Sequence, residues 1–189
     1  AADVEPHEYE QLERLITGDY ATEERILLDV EVIKEDGSKH YLAVNDAVVA
    51  RGQLSKTIDL HLTLDGDEIS KYRADGLLFA TPTGSTAYSL SAGGPILAPK
   101  MECILMTPVC PHSLFSRSVL FSGESELSVH VKIPEECCCV LTIDGEKNVS
   151  VLATDRVVIR KSDLKLKLAL LHNRNFYKLL NEKLKERDF

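Results

Sequence analysis

Three of the four Asp-Gly pairs in this chain adjoin segments in which apolar residues recur at every second position. They are Asp36-Gly37, Asp65-Gly66 and Asp144-Gly145, and the alternating segments between and beyond them are 28–32, 58–64, 127–133 and 164–170. An Asp-Gly pair between alternating segments favours a tight turn between two antiparallel strands, because both residues tolerate positive φ. Alternation gives each sheet one apolar and one solvated face, and the apolar faces must pack together. The pattern therefore predicts a β-sandwich.

Helical spacing is found at the two ends of the chain. Residues 5–17 open with acidic residues and Pro6, which suits a first helical turn, and they carry one apolar stripe. Residues 175–187 also have an apolar face. With a third short helix expected after Thr86, the predicted fold is mainly β: one antiparallel, sandwich-like domain over 1–189 with helices at the N-terminus, after Thr86 and at the C-terminus.

Charge and cysteine content exclude several classes of protein. The net charge of −8 comes without a Lys/Arg cluster, which argues against a nucleic-acid partner. No apolar run approaches the roughly 20 residues of a membrane span. The five cysteines, three of them adjacent at 137–139, include no Cys-x-x-Cys pair and indicate buried thiols rather than disulfides or zinc. We therefore expect a cytoplasmic protein with neither a membrane nor a nucleic-acid partner.

A stretch rich in Gly, Ser and Thr, residues 72–95, is the first candidate site. A short apolar strand at 77–80 is followed by Gly84 and then by Ser85 and Thr86, which are good helix N-caps. A helix that begins there offers unpaired N–H groups and hydroxyls to anionic or hydroxyl-rich ligands. The alternative is an ordinary connecting loop.

Asn45-Asp46, a polar pair within an apolar run, is the second candidate. An amide beside a carboxylate can donate to one hydroxyl of a vicinal diol and accept from the other, as ribose recognition requires. The alternative is a strand bulge or a turn whose polar groups bond within the chain.

The literal sequence around these residues resembles the signature of the NAD kinase family. The matching residues are Asp75-Gly76, the run 81–88 (TPTGSTAY) and Gly93-Gly94-Pro95. The resemblance extends over nearly the whole chain. It implies the C-terminal domain of an enzyme that transfers the terminal phosphoryl group of ATP to the 2′-hydroxyl of the adenosine ribose of NAD, giving NADP.

The resemblance also implies which residues bind NAD. Family members usually have Asn-Glu where this chain has Asn45-Asp46, so the acid here is shorter by one methylene. Lys56 matches a position that is often basic or polar, although a solvated loop lysine is the alternative. The implied contacts are Asn45, Asp46, Lys56, Arg73, Asp75, Thr86, Ala87, Tyr88 and Ser91.

Two further segments resemble parts of the family. Residues 107–114, with Arg117 after them, are similar to a segment near the subunit interface and the nucleotide; His112 within it is either a ligand contact or, as we favour, a structural histidine. Asp144-Gly145-Glu146 resembles an Asp-Gly-Gln turn near the ligand, and Glu146 departs from that pattern in charge.

The Gly-Gly-Asp-Gly loop, which in this family cradles the phosphates and supplies the proton acceptor, is absent from the 189 residues. We therefore expect no catalytic residue and negligible activity in this chain alone. The resemblance implies that a missing N-terminal α/β domain brings ATP with Mg²⁺, and that flanks 1–20 and 172–189 contact that domain. It also implies a homo-oligomer, either a dimer or a tetramer.

Two other functions stay open from the sequence. One is a related kinase of the diacylglycerol or sphingosine type, which would have a similar fold and a lipid acceptor. The other is a non-catalytic module that binds NAD or NADP.

Overall fold

The computed structural model describes residues 8–52, 57–113, 116–133, 139–171 and 176–187. The chain divides into two compact units, one formed by 26–166 and the other by 1–25 together with 167–189. Within the described ranges, no helix is long and apolar enough to cross a membrane.

Strands make up most of the described chain and form two six-stranded sheets. Sheet 1 has the order β2-β1-β12-β9-β4-β5, and sheet 2 has the order β11-β10-β3-β6-β7-β8. Every pairing whose register the described residues define is antiparallel, as predicted. The strands are β1 (Ala21–Lys34), β2 (Gly37–Ala43), β3 (Asp46–Arg51), β4 (Ile58–Leu64), β5 (Asp67–Ala74), β6 (Gly76–Ala80), β7 (Cys103–Val109), β8 (Val119–Ser122), β9 (Leu127–Lys132), β10 (Cys139–Ile143), β11 (Lys147–Val151) and β12 (Arg156–Leu170).

The main core of the 26–166 unit takes alternate residues from both sheets. Leu60 and Val129 of sheet 1 and Val49 and Phe79 of sheet 2 are fully buried members of this one cluster. Burial of each large aliphatic or aromatic side chain stabilises the fold by about 1.5–3 kcal/mol. The predicted sandwich is confirmed.

The prediction of one solvated face for each sheet is wrong for the middle of sheet 2. Val48, Leu78 and Leu105 point away from the main core, yet they form a second buried cluster with Leu97. Leu97 follows the Gly/Ser/Thr-rich stretch, so that stretch covers the outer face of sheet 2. A continuous apolar strand such as β6, with five buried residues, is the sequence signal of this two-sided burial.

The helices are short and lie where they were predicted. A 3₁₀ turn (Tyr9–Leu12) leads into α1 (Glu13–Thr17), which ends at Gly18 with φ 75°. A second 3₁₀ turn (Gly84–Thr86) precedes α2 (Tyr88–Ser91), and α3 is Phe176–Arg187. The N-terminal prediction also included residues 5–7, which lie outside the described ranges.

Candidate functional site

Asn45 and the turn after β6, at residues 81–84 of the Gly/Ser/Thr-rich stretch, meet at one end of sheet 2. In the β3–β6 pair Asp46 faces Ala80, so the chain leaves β6 beside the residue at which it enters β3. The Thr81 N–H donates to the Asn45 carbonyl at 2.9 Å, and the Thr81 hydroxyl donates to the Val44 carbonyl at 2.7 Å. The apolar run that contains Asn45-Asp46 is therefore not one strand but is broken at Val44-Asn45, and the break is bonded to the first candidate site, the stretch 72–95.

Gly84 brings the two segments into van der Waals contact. A Cβ atom placed on Gly84 would lie 2.0 Å from the Asn45 carbonyl oxygen, closer than any side chain can approach. The Gly84 N–H donates to the Thr81 hydroxyl at 3.0 Å, which holds the turn against the Asn45 backbone. Glycine is required here because of this close approach.

Asp144 holds the same backbone from the other side. Its carboxylate accepts from the N–H groups of Val44 at 2.8 Å, Asn45 at 2.7 Å and Asp46 at 3.0 Å. In return, the Asp144 N–H donates to the Asp46 carbonyl at 2.9 Å. Asp144 and Gly145 have φ of 49° and 72°, as a type I′ hairpin turn requires. The Asp-Gly pair predicts this turn, but nothing in the local sequence indicates the role of its carboxylate.

The Asp46 carboxyl group lies on the outer face of sheet 2 with 5% of the residue exposed. Within the described residues its carboxylate accepts no hydrogen bond. Burial raises the pKa of Asp46 to about 6, and the nearby Asp144 carboxylate adds to the rise. A buried carboxylate without a donor is costly, so this group is suited to a ligand that brings a hydroxyl donor.

The Gly/Ser/Thr-rich stretch buries some of its side chains and exposes others. Ser85 is buried, donates to the Pro82 carbonyl at 2.7 Å and accepts from the Leu97 N–H at 3.1 Å. Ala87 and Tyr88 are exposed, Tyr88 to 47%. Of the other predicted contacts, Ser91 is exposed and Thr86 is half-buried.

The helix begins differently from the prediction. Neither Ser85 nor Thr86 is an N-cap, and no side-chain cap forms at either short helix. The N–H groups of Gly84, Ser85 and Ala87 donate within the chain, so these three are not free for a ligand. The exposed side chains of Ala87, Tyr88 and Ser91 form part of the surface available to a ligand.

A row of three hydroxyls links α2 to the loop before β8. Ser89 on α2 contacts Thr107 on β7 at 3.1 Å between the oxygens, and Thr107 contacts Ser118 at 3.0 Å. Gly94 closes over this row, since a Cβ there would lie 2.3 Å from the Ser89 hydroxyl. These contacts anchor α2 to β7 through Ser89.

Two predicted contacts, Arg73 and Asp75, lie away from Asn45. The Arg51 N–H donates to the Asp75 carbonyl, which places Asp75 at the opposite end of β3, about 20 Å along the strand from Asn45. The Asp75 carboxylate pairs with Arg51 at 3.0 Å. Arg73 lies on edge strand β5, where it pairs with Asp59 at 2.9 Å.

A cleft of about 290 Å³ lies beside Arg73, between β5 and the loop before β8. Its lining includes the cations Lys71, Arg73 and Arg117 and several hydroxyl groups. His112 has an exposed ring and donates its backbone N–H to the Arg73 carbonyl at 2.9 Å. Lysine and arginine side chains around a cleft favour an anionic ligand.

The remaining predicted positions lie outside both the Asn45 corner and the cleft beside Arg73, or outside the described residues. Lys56 and Leu114 lie outside the described residues, as do Cys137 and Cys138. Glu146 is exposed on the turn that Asp144 begins. Over the described ranges, no three His, Cys, Asp or Glu side chains are placed to hold a metal ion.

Comparison with known proteins gives a consistent result. The sequence model described as "ATP-NAD kinase C-terminal domain" matches residues 44–171. The NAD kinase of Natranaerobius thermophilus is 40% identical over 174 residues, which are 92% of this chain and 60% of that protein. The NAD kinase of Caldanaerobacter subterraneus is 39% identical over 180 residues, covering 95% of this chain and 63% of that protein.

Solved structures share the fold. Yeast NADH kinase complexed with NADH superposes with a TM-score of 0.85 at 30% identity, covering 94% of this chain and 52% of the yeast one. An NAD kinase from Archaeoglobus fulgidus in complex with ATP superposes with a TM-score of 0.76 at 26% identity, covering 93% of this chain and 64% of the archaeal one. The chain spans about 60% of the length of the Natranaerobius NAD kinase. It belongs to the ATP-NAD kinase family and carries the C-terminal domain of that family.

Proposed function

We propose that this chain is the NAD-binding part of an enzyme that phosphorylates the adenosine ribose 2′-hydroxyl of NAD with ATP. The observation that carries this proposal is the contact between Asn45 and Gly84, which brings the two polar segments into one surface. On this proposal, the dinucleotide is bound by Asn45 and Asp46 on one side and by Thr86, Ala87, Tyr88 and Ser91 on the other.

The chemistry of this surface suits a nucleoside. The Asp46 carboxylate lacks a donor from the described chain and can accept from a ribose hydroxyl, while the Asn45 amide can donate to one. The exposed Tyr88 offers a ring face for stacking and a hydroxyl at its edge. The small Ala87 leaves room for a planar group to approach.

The phosphoryl-transfer machinery belongs, on this proposal, to the part of the relatives that this chain does not span. We place Mg²⁺ with ATP on that other part, as the resemblance to NAD kinases implies. This chain would bind and orient the acceptor hydroxyl, which is a large share of catalysis in phosphoryl transfer. Alone it would have negligible kinase activity in the cytoplasm.

Arg73 and Asp75 would contact the nucleotide bound by a second copy of the chain. Asp75 lies at the opposite end of β3, about 20 Å along the strand from Asn45, so one ribose cannot touch both Asp75 and Asn45. Edge strands β5 and β8 carry exposed apolar residues beside the cationic cleft, and such edges need a cover. A homo-oligomer would supply that cover and place the cleft next to the dinucleotide phosphates.

Calorimetric titration of the chain with NAD and NADP tests the proposal. We expect saturable binding that Asn45→Ala and Tyr88→Ala weaken, with Tyr88→Phe separating the ring from the hydroxyl. Asp67→Asn, at an exposed turn position on β5, is the control and should bind as the wild type does. A wild-type chain that binds neither dinucleotide would refute the proposal.

A further inference from the structure

Three backbone N–H groups converge on one carboxylate beside the proposed NAD site. Oδ1 of Asp144 accepts from Asn45 at 2.7 Å and from Asp46 at 3.0 Å, while Oδ2 accepts from Val44 at 2.8 Å. These residues lie where the chain leaves β2 and enters β3. The pairing of β2 with β1 ends at Ala43 and the pairing of β3 with β6 begins at Asp46, so neither includes Val44 or Asn45. The carboxylate therefore replaces the bonds that a continuous strand would have made.

The two-way bonding between Asp144 and Asp46 fixes the orientation of this corner. Asp144 accepts from the Asp46 N–H and donates its own N–H to the Asp46 carbonyl. The Asn45 carbonyl is held in turn by the Thr81 N–H at 2.9 Å and packs against Gly84. Because the Asn45 N–H and carbonyl groups are both bonded, the Asn45 backbone is fixed, and so is the direction in which its side chain leaves the backbone.

This arrangement keeps two carboxyl groups close together, at a cost. The Asp144 carboxylate is one of the two causes of the raised pKa of Asp46. A turn residue chosen for stability alone would be Asn or Gly, which tolerate positive φ without a charge that opposes Asp46. The acidic side chain is thus better explained by its three acceptor bonds than by the turn.

We propose that Asp144 is a positioning residue for dinucleotide binding: its carboxylate fixes the Val44-Asn45-Asp46 backbone so that the Asn45 amide and Asp46 carboxyl group face one ribose. The proposal rests on the function proposed above. Asp144 acts through Asn45 and Asp46 and need not touch the ligand.

The chain offers a matched control for this role. Asp65-Gly66 forms the same kind of turn between β4 and β5, with φ of 50° and 94°. Its carboxylate also accepts a backbone N–H, that of Glu126 at 2.8 Å, but this turn belongs to sheet 1 and not to the Asn45 corner. Asp65→Asn and Asp144→Asn therefore make the same chemical change in two places.

The experiment compares the wild type, Asp144→Asn and Asp65→Asn in NAD titration, urea unfolding and amide hydrogen exchange. Asp144→Asn keeps the turn and one acceptor oxygen, which can still accept from the Asn45 and Asp46 N–H groups. The NH₂ group that replaces Oδ2 cannot accept from the Val44 N–H. We expect NAD affinity to fall roughly tenfold or more in Asp144→Asn. Exchange at Val44, Asn45 or Asp46 should accelerate there, whereas Asp65→Asn should bind NAD as the wild type does.

Equal NAD affinity in Asp144→Asn and the wild type would overturn the proposal, as would an equal loss in Asp65→Asn. If Asp144→Asn fails to fold, exchange in the unliganded wild type decides: unprotected amides at 44–46 would overturn the positioning role. A wild type that does not bind NAD would refute the proposed function instead. The exchange data would still test whether Asp144 orders this backbone.

Discussion

The Asn45 carbonyl leaves no space for a side chain on Gly84. A Cβ atom there would lie 2.0 Å from the carbonyl oxygen and 2.7 Å from the Asn45 Cα, and both are backbone atoms that cannot rotate away. The approach of Gly84 is thus what joins the turn after β6 to the corner before β3.

Gly84→Ala should separate the two segments. We expect a loss of about 1–3 kcal/mol in the free energy of unfolding from overpacking, together with loss of NAD binding. Gly123→Ala is the comparison, since a Cβ there would lie 3.1 Å from the Glu102 carbonyl oxygen, 1.1 Å farther than the Cβ of Gly84→Ala from its nearest atom, and should cost less stability. Urea unfolding and NAD titration measure both effects, and an unchanged NAD affinity in Gly84→Ala would contradict this explanation.

The burial of Asp46 predicts a pH dependence of stability. The pKa is about 6 in the folded chain and about 4 in an unfolded one, so the unfolded state loses its proton first as the pH rises. Folding stability should therefore fall between about pH 4 and pH 6 and remain lower above that, by roughly 3 kcal/mol at most. Asp46→Asn should raise the urea midpoint at pH 8 and leave it nearly unchanged at pH 4.

Asp59→Asn should change the free energy of unfolding at pH 8 in the opposite direction from Asp46→Asn. The hydrogen bond from Arg73 lowers the pKa of Asp59, so its carboxylate stabilises the fold above about pH 4 and loses this effect as the pH falls through the lowered pKa. The Asp59 variant should be less stable than the wild type at pH 8. If Asp46→Asn were also destabilising at pH 8, the unpaired carboxylate would not be the cost that we infer.

The hydroxyl row at Thr107 predicts a buried polar contribution to stability. Thr107→Val keeps the shape but leaves the Ser89 and Ser118 hydroxyls without this partner, so we expect a loss of about 1–3 kcal/mol. Thr63→Val is the comparison: Thr63 contacts the single hydroxyl of Ser128 at 2.6 Å, and its loss should be smaller. Equal unfolding midpoints for the two variants would show that the row does not act as a unit.

Asp75 should matter for stability as well as for any contact with a ligand. Its pair with Arg51 is mostly buried, with side-chain exposures of 24% and 27%, whereas the Arg73–Asp59 pair is exposed to 64% and 44%. Double-mutant cycles on unfolding should give a coupling energy of about 1 kcal/mol or more for Arg51–Asp75. The exposed pair should give less than about 1 kcal/mol, and the reverse order would refute this ranking.

The sequence predicted most of the sheets because their signals are local. The segments 58–64 and 127–133 alternate in steps of two, and both are strands of sheet 1, paired in the structure. β6 carries no alternation, because both of its faces are covered, and its neighbour β7 was not predicted for the same reason. Two-sided burial removes the polar half of the pattern on which such predictions depend.

The candidate site was predictable only in part. Asn45-Asp46 could be singled out because a polar pair stands out in an apolar run, whereas Tyr88 was named only through the resemblance to NAD kinases. The role of Asp144 could not, since its bonds join residues about 100 positions apart. Nor could the sequence show that Asp75 lies at the far end of β3, because that depends on strand order.

The stretch after β6 packs the outer face of sheet 2 with one set of residues and presents another set outward. Gly84, Ser85 and Ser89 are buried, whereas Ala87, Tyr88 and Ser91 are exposed. Variation in the exposed set can thus alter which molecules are accepted while the hydrophobic interior stays intact. A combinatorial library confined to those three positions should yield mostly folded proteins, which makes this short segment a practical starting point for redesigning ligand preference.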